Sequence, residues 1–145
     1  ERLRRDFPRD EEAAADAGLK LIGRRHVRSN NSWMHNFRRL VKGRPRCTLL
    51  MHPRDLQQRD IAEGATVSIS SRVGSVDAVV ESSDTIMPGV VSLPHGWGHD
   101  REGIRMEIAR SHAGVSCNDI TDELALDELS GNAAVNGVPV EVSLR

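Results

Sequence analysis

The sequence predicts a mainly β fold, a small barrel whose short strands are joined by long polar loops. Short apolar stretches alternate with turn-forming residues along the chain, which is typical of all-β domains. Within residues 17–145, a helical pattern is confined to one stretch, PRDLQQRD. The chain has 145 residues, of which 38% are hydrophobic, and a chain of this size can bury a core without disulfide or metal cross-links.

Each strand is predicted from apolar residues that lie between turn signals. Val67 and Ile69 alternate with polar residues, as do Val76 and Val80 farther on. Because a short turn separates these two runs, we expect them to form a hairpin. Pro53 suits the first turn of a helix, so PRDLQQRD predicts one to two helical turns. The six predicted strands are residues 19–25, 47–52, 65–71, 76–82, 89–94 and 137–144.

The sequence predicts one domain with a short extension. Residues 1–16 are mostly charged and are predicted to be a leader or linker, and the barrel domain is predicted over residues 17–145. The chain is either a domain of a longer protein or a protein that stands alone, and because it starts abruptly without a methionine, we expect the former. Its apolar runs are far shorter than the roughly 20 residues of a membrane span. The two cysteines lack metal-binding spacing and fit a reducing compartment, so a cytoplasmic location is expected.

Positive charge is concentrated in one part of the chain, although the formal net charge is only -1. Between Asp16 and Asp55 the sequence holds ten Lys and Arg residues and no acid, whereas the part from Ser111 onward is acidic. Most of the basic residues are Arg, whose planar guanidinium suits bidentate binding of phosphate. This distribution indicates either an anion site, such as one for phosphate, or a basic strip that pairs with the acidic C-terminal part.

A second candidate site is the loop PHGWGH, which directly follows a predicted strand. His95 and His99 could suggest a metal pair, but that spacing needs a helix, which Gly96 and Gly98 disfavour. Two glycines around Trp97 instead favour a tight loop whose backbone approaches a ligand while the indole covers it. The alternative is that Trp97 plugs the end of the barrel.

The sequence lacks the motifs of a self-contained enzyme. The GxSxG nucleophile elbow, the P-loop and the GxGxxG fingerprint are all absent. Ser29, Ser92 and Cys117 could act as nucleophiles with a histidine as base, but no motif joins them. Cys47 lies in an apolar run and is expected in the core. The chain therefore indicates a binding domain without catalytic residues of its own.

Four segments, in chain order, resemble the C-terminal molybdopterin-guanine-dinucleotide-binding domain of the molybdenum and tungsten oxidoreductases, a family that includes formate dehydrogenases and nitrate reductases. The segments are LIGRRHVRSNNSW, CTLLMHPRDLQQRDIAEGATVSISSRVG, GVVSLPHGWGH and CNDITDELALDELSGNAAVNGVPVEV. The resemblance covers residues 19–143. It implies a six-stranded double-psi β-barrel with long ligand-binding loops, which is the last domain of a much larger enzyme and closes over the cofactor.

The resemblance also implies a cofactor and the residues that bind it. The cofactor is molybdopterin guanine dinucleotide, whose dithiolenes and another domain hold molybdenum or tungsten, so Cys47 and Cys117 are not expected to ligate the metal. The implied cofactor-binding residues are Gly23, Arg24, Arg28, Ser29, Asn30 and Asn31 in a first loop, His95, Gly96, Trp97, Gly98 and His99 in a second, and Asn118, with Asp119 and Thr121 near it, in a third.

The implied partners are the cofactor and the remaining domains of the same enzyme, with no nucleic acid and no membrane span. Redox chemistry, such as conversion of formate or nitrate, would reside in the full-length enzyme. One alternative is a nucleic-acid module that uses the Arg-rich strip, which the aromatic content of 3% disfavours because bases stack on aromatic rings. Another is a double-psi barrel with a different role, either a protein-interaction domain or a small decarboxylase-like enzyme.

Overall fold

A computed structural model describes residues 18–127 and 129–145, so the predicted leader, residues 1–16, lies outside the described residues. The strands are β1 (Leu19–Arg24), β2 (Thr48–Met51), β3 (Thr66–Ser70), β4 (Ser75–Ser82), β5 (Val90–Pro94) and β6 (Val138–Leu144). They close into a barrel in the order β1, β5, β2, β4, β3, β6. This architecture confirms the predicted fold class, a six-stranded double-psi β-barrel with short helices.

The barrel combines parallel and antiparallel pairing. Two parallel pairs, β1 with β5 and β2 with β4, are joined by the antiparallel pairing of β2 with β5. The predicted hairpin is β3 with β4, in which Ile69 aligns with Val76. β6 completes the barrel by pairing antiparallel with both β1 and β3. Closure therefore gives every strand two neighbours, which removes the exposed edges of an open sheet.

Aliphatic side chains that point inward fill the barrel. Leu49, Val67, Ile69 and Leu93 have no exposed surface, and Ile120 joins them from outside the strands. Burying each such side chain contributes about 1.5–3 kcal/mol. Cys47, which was expected in the core, is only half-buried and is not part of the core cluster, whereas Cys117 packs against that cluster. Cys47 precedes β2, where the chain enters the barrel.

The helices are short and lie in the connections between strands. They are α1 (Arg38–Val41), α2 (Pro53–Gln58), α3 (Glu107–Arg110) and the 3₁₀ turn η1 (Cys117–Ile120). α2 is the helix that the sequence predicts, and the His52 ring accepts a hydrogen bond from the N–H of Arg54 at its start. The sequence analysis missed the other three, because one turn is too short to show a helical period. No helix among the described residues is long and apolar enough to cross a membrane.

Candidate functional site

β1 and β5 bring two of the predicted loops to the same end of the barrel. Their parallel pairing aligns Arg24 with Pro94, so both strands finish at the same level. The N–H of His95 then donates to the carbonyl of Arg24 at 3.0 Å, which extends the pairing past the strands. Gly23 and Arg24 of the predicted first loop belong to the end of β1, and the first loop proper is residues 25–37. It leaves the barrel beside the second loop, residues 95–99.

Glycine and asparagine allow the two loops to pack closely. A Cβ atom on Gly96 would lie 2.4 Å from the carbonyl oxygen of Asn31, and the φ angle of Gly96 is +92°, so only glycine fits there. Asn30 and Asn31 have φ angles of 42° and 61°, a left-handed conformation that asparagine tolerates better than most residues. These predicted site residues thus shape the contact between the loops.

A buried cluster of three rings fixes the two loops to each other. His35 Nδ1 lies 2.7 Å from His99 Nε2, and the His35 ring packs on Trp97 with 4.0 Å between centroids. Burial lowers the pKa of His35 to about 4, helped by His99 and Arg46, and burial also lowers the pKa of His99. The Trp97 indole therefore packs between the two loops. His35 was not among the predicted site residues.

A pocket of about 340 Å³ opens at this end of the barrel. It joins residues from all three predicted segments, among them Gly23, His95 and Asn118. The residues that line this barrel-end pocket are Leu21, Gly23, Arg25, His95, Cys117, Asn118, Thr121, Val135 and Asn136. Convergence of segments so far apart in sequence makes this pocket the candidate site.

Neighbouring contacts hold the pocket residues in place. The N–H of Gly23 donates to Asn136 Oδ1 at 2.8 Å, which links β1 to the segment before β6. Thr121 Oγ1 donates to the carbonyl of Cys117 at 2.9 Å, and the buried Ile120 anchors η1 beneath them. Asn136 was not predicted as a site residue. Its position just before a predicted strand was the feature of the sequence that could have indicated it.

The thiol and imidazole in the pocket are both neutral near pH 7. Cys117 Sγ lies 3.7 Å from His95 Nδ1. Burial raises the pKa of Cys117. Burial lowers the pKa of His95, and the positive charge of Arg25 lowers it further by a smaller amount. A nucleophilic thiolate needs the opposite shift, so this pair offers hydrogen-bonding groups to a ligand and no activated nucleophile.

A second concavity, the basic groove, has a volume of about 350 Å³. It contains Arg24 and Arg28 from the predicted first cofactor loop. The residues that line it are Arg24, His26, Arg28, Lys42, Gly43, Arg44, Pro45, Arg46, Thr48, Leu50 and Glu81. Five Lys and Arg side chains thus face one carboxylate, that of Glu81, which pairs with Arg44 at 3.2 Å.

Arg24 has a structural part in this groove. Its guanidinium donates to the backbone carbonyls of Ser92 and Thr48, so it joins β1 to β5 and β2. Arg28 is exposed and donates to the carbonyl of Arg39 at 2.8 Å. Of the two predicted arginines, Arg28 is therefore the one better placed to contact a ligand.

Carboxylates of the acidic C-terminal part pair outside the Arg-rich stretch. Arg72 binds Asp122 and Glu123, and Arg101 binds Asp119. Hydrogen bonds from Arg72 lower the pKa of Asp122 to about 2. These three acids therefore pair with arginines outside the basic strip, so for them the interpretation that the strip pairs with the acidic C-terminal part does not hold.

The remaining predicted residues line neither the barrel-end pocket nor the basic groove. Ser29 is buried and its Oγ has no hydrogen-bond partner. Gly98 packs against Ser116, to which a Cβ atom would come within 2.8 Å. Among residues 18–127 and 129–145, no group of three His, Cys, Asp or Glu side chains is arranged to hold a metal ion.

Comparison with known proteins shows the family. Residues 19–139 match the sequence model of the family described as "Molydopterin dinucleotide binding domain", and the chain belongs to that family. It is thus a molybdopterin dinucleotide-binding domain, as the resemblance implied.

Two relatives show how this domain occurs elsewhere. A tetrathionate reductase polypeptide from Salmonella typhimurium is 26% identical over 121 residues, which are 72% of this chain and 12% of that protein. Acetylene hydratase from Pelobacter acetylenicus shares the fold with a TM-score of 0.68 and 18% identity, over 94% of this chain and 19% of that chain. The chain therefore spans less than a fifth of the length of either relative.

Proposed function

We propose that this domain binds molybdopterin guanine dinucleotide at the barrel end, as part of a molybdenum or tungsten oxidoreductase that converts a small substrate such as formate or nitrate. The observation that carries the proposal is that Gly23, His95 and Asn118 line one pocket within the region that defines the family. When bound, the cofactor would supply the dithiolene sulfurs that hold the metal. Residues of this chain would bind and orient it.

The barrel-end pocket has the chemistry that such a dinucleotide needs. The side-chain amides of Asn118 and Asn136 carry both donors and acceptors, which match the edges of guanine or a pterin. Leu21 and Val135 supply apolar surface beside them. A volume of about 340 Å³ lies within the usual range of ligand sites.

The phosphates of the bound dinucleotide would be contacted by arginines in and near the first loop. Arg25 lines the barrel-end pocket, whereas Arg28 and Lys42 line the basic groove. Charge-assisted hydrogen bonds from guanidinium groups are the strong interactions available to a pyrophosphate. We assign Arg25, which the sequence analysis left out, to this role together with Arg28.

Protection of a thiol tests the location of the site. Cys117 lines the barrel-end pocket and Cys47 does not, so bound GDP should slow maleimide labelling of Cys117 several-fold and leave the rate at Cys47 unchanged. Because burial raises the pKa of both thiols, the labelling is run at mildly alkaline pH and read by mass spectrometry.

Matched variants sharpen this test. Asn118→Ala removes a pocket amide and should abolish the protection of Cys117 by GDP. Asn132→Ala removes an exposed amide outside the pocket and should preserve it. Labelling of Cys117 that GDP does not slow, or equal slowing at both cysteines, would contradict the proposed site.

The basic groove also favours a second candidate function, a nucleic-acid module. That function predicts binding of generic DNA or RNA that weakens steeply as salt rises, since binding releases counterions from the phosphate backbone. A gel-shift assay at low salt decides between the two candidates. Retention of GDP protection with no shifted nucleic acid supports the cofactor domain.

A further inference from the structure

The first loop buries polar side chains and exposes apolar ones. Ser29 and His35 are 2% and 1% exposed, whereas Val27, Trp33 and Phe37 are 92%, 78% and 58% exposed. Folded proteins normally show the reverse arrangement. Aromatic side chains are enriched at protein interfaces relative to the rest of the protein surface.

The loop is held in this arrangement by defined contacts. His35 Nδ1 lies 2.7 Å from His99 Nε2, and the His35 ring packs on Trp97. The N–H of Met34 donates to the carbonyl of Ser29 at 3.1 Å, which closes the turn that carries Trp33. Because the inner residues are fixed, the apolar side chains are directed outward by the fold of the loop.

The charges around the loop indicate the chemistry of its partner. Arg25, Arg28, Arg38 and Arg39 are exposed on the same segment, and the sequence has no acid there. In a two-fold contact with a second copy of the chain, the same surface of each copy meets the other, so these arginines would face the same arginines of the second copy. The repulsion between like charges makes such a contact unfavourable. A complementary surface would instead be apolar with acidic residues around it.

We propose that Val27, Trp33 and Phe37 are buried against another domain of the larger enzyme, on a surface with an apolar centre and an acidic border. This inference rests on the proposed function in one respect, that the domain works inside a larger molybdenum enzyme. The lengths of the relatives support it, since the matched regions make up 12% and 19% of those chains. Arg25 also lines the barrel-end pocket, so this contact adjoins the cofactor site.

Hydroxyl-radical footprinting tests the inference with the two indoles of the chain. In the 145-residue chain, oxidation of Trp33 should exceed that of Trp97 roughly ninefold, in proportion to their exposed fractions of 78% and 9%. In the full-length enzyme the two should be oxidised at similar rates. The enzyme is measured with and without its cofactor.

Each outcome of this experiment decides the question. Protection of Trp33 in both cofactor states supports a domain contact. Protection only with cofactor means that the cofactor covers the loop, and continued exposure means that nothing covers it; both overturn the proposal. Protection in the 145-residue chain that grows with its concentration assigns the face to a second copy and also overturns it. Labelling of Cys117 reports on the cofactor site separately, so failure of either proposal is recognised by itself.

A paired variant gives a second measurement. Trp33→Ser with Phe37→Ser should leave the melting temperature of the 145-residue chain unchanged, because these side chains are exposed there. In the full-length enzyme the same change should make this domain more susceptible to limited proteolysis. Leu124→Ser, at an exposed site outside the loop, is the control, and equal proteolysis of both variants would contradict the inference.

Discussion

The imidazoles of His35 and His99 hold the two site loops together while both rings are neutral. One ring nitrogen can then donate to the other across 2.7 Å, whereas two charged rings would repel each other at that distance. Burial disfavours a charge on either ring, so protonation of one ring would weaken this contact. The loops are therefore sensitive to protonation.

The free energy of unfolding should decrease between about pH 7 and about pH 5, by about 1–2 kcal/mol. Unfolded His35 takes up a proton near its ordinary pKa of 6.5, whereas the folded residue does so only near pH 4. The unfolded state therefore binds more protons in this window, and falling pH favours it. His99 contributes in the same direction because its pKa is also lowered.

Urea unfolding at the two pH values measures this effect. His35→Gln should show a weaker pH dependence than the unsubstituted chain, because one of the two neutral imidazoles is gone. His112→Gln, at an exposed position, should retain the full dependence. Equal pH dependence in all three proteins would show that the buried pair does not link folding to protonation.

At the scale of elements, α2 connects two parts of the barrel through a buried carboxylate. Asp55 lies on the first turn of α2 and is 4% exposed. Its Oδ2 accepts from the N–H of Gly89 at 2.8 Å, just before β5, and Oδ1 lies 3.8 Å from Arg59. The helix therefore fixes the start of the strand that leads to the second loop.

Asp55→Ala should destabilise the fold by about 1–3 kcal/mol, because it leaves the backbone donor of Gly89 without a partner. Chemical denaturation measures the loss. Asp84→Ala changes an exposed aspartate and should have little effect. Similar stability of the two variants would mean that water replaces the carboxylate at Gly89.

The elements that the sequence predicted carry a local signal, which is either a run of apolar residues between turns or a proline that suits the start of a helix. Val67 and Ile69 alternate along β3, and Pro53 marks the start of α2, so both elements were found within a residue or two. α1 and α3 have four residues each, which is too few to show a period. Tertiary contacts, such as the Asn36 side chain accepting from the N–H of Ala109, hold such turns in place.

At the scale of the whole molecule, the net charge of -1 is a sum over separate surfaces. The basic groove carries positive charge around the end of β1, while Arg72 and Arg101 neutralise acids of the C-terminal part. A polyanionic ligand would therefore meet a local positive potential on a nearly neutral protein.

Affinity for GDP should decrease as the salt concentration rises from about 0.02 M to about 0.5 M, since added ions screen the groove. Lys42→Glu, in the groove, should weaken GDP binding at low salt, and Arg110→Glu, an exposed arginine outside it, should not. Isothermal titration calorimetry measures both. Affinity that is independent of salt would show that these cations do not contact the phosphates.

The sequence by itself determined the barrel, its strands and three of the segments that meet at the candidate pocket. Apolar alternation and turn residues are local signals, and the Gly and Asn residues of the loops mark backbone conformations that other residues rarely adopt. Only the tertiary structure decided that Gly23, His95 and Asn118 share one pocket while Arg24 and Arg28 lie in another concavity. It also buried Trp97 on His35 and left Trp33 exposed. The physical reason is that the side-chain partners come from distant segments, which parallel pairing of β1 with β5 brings together, and no local pattern records that pairing.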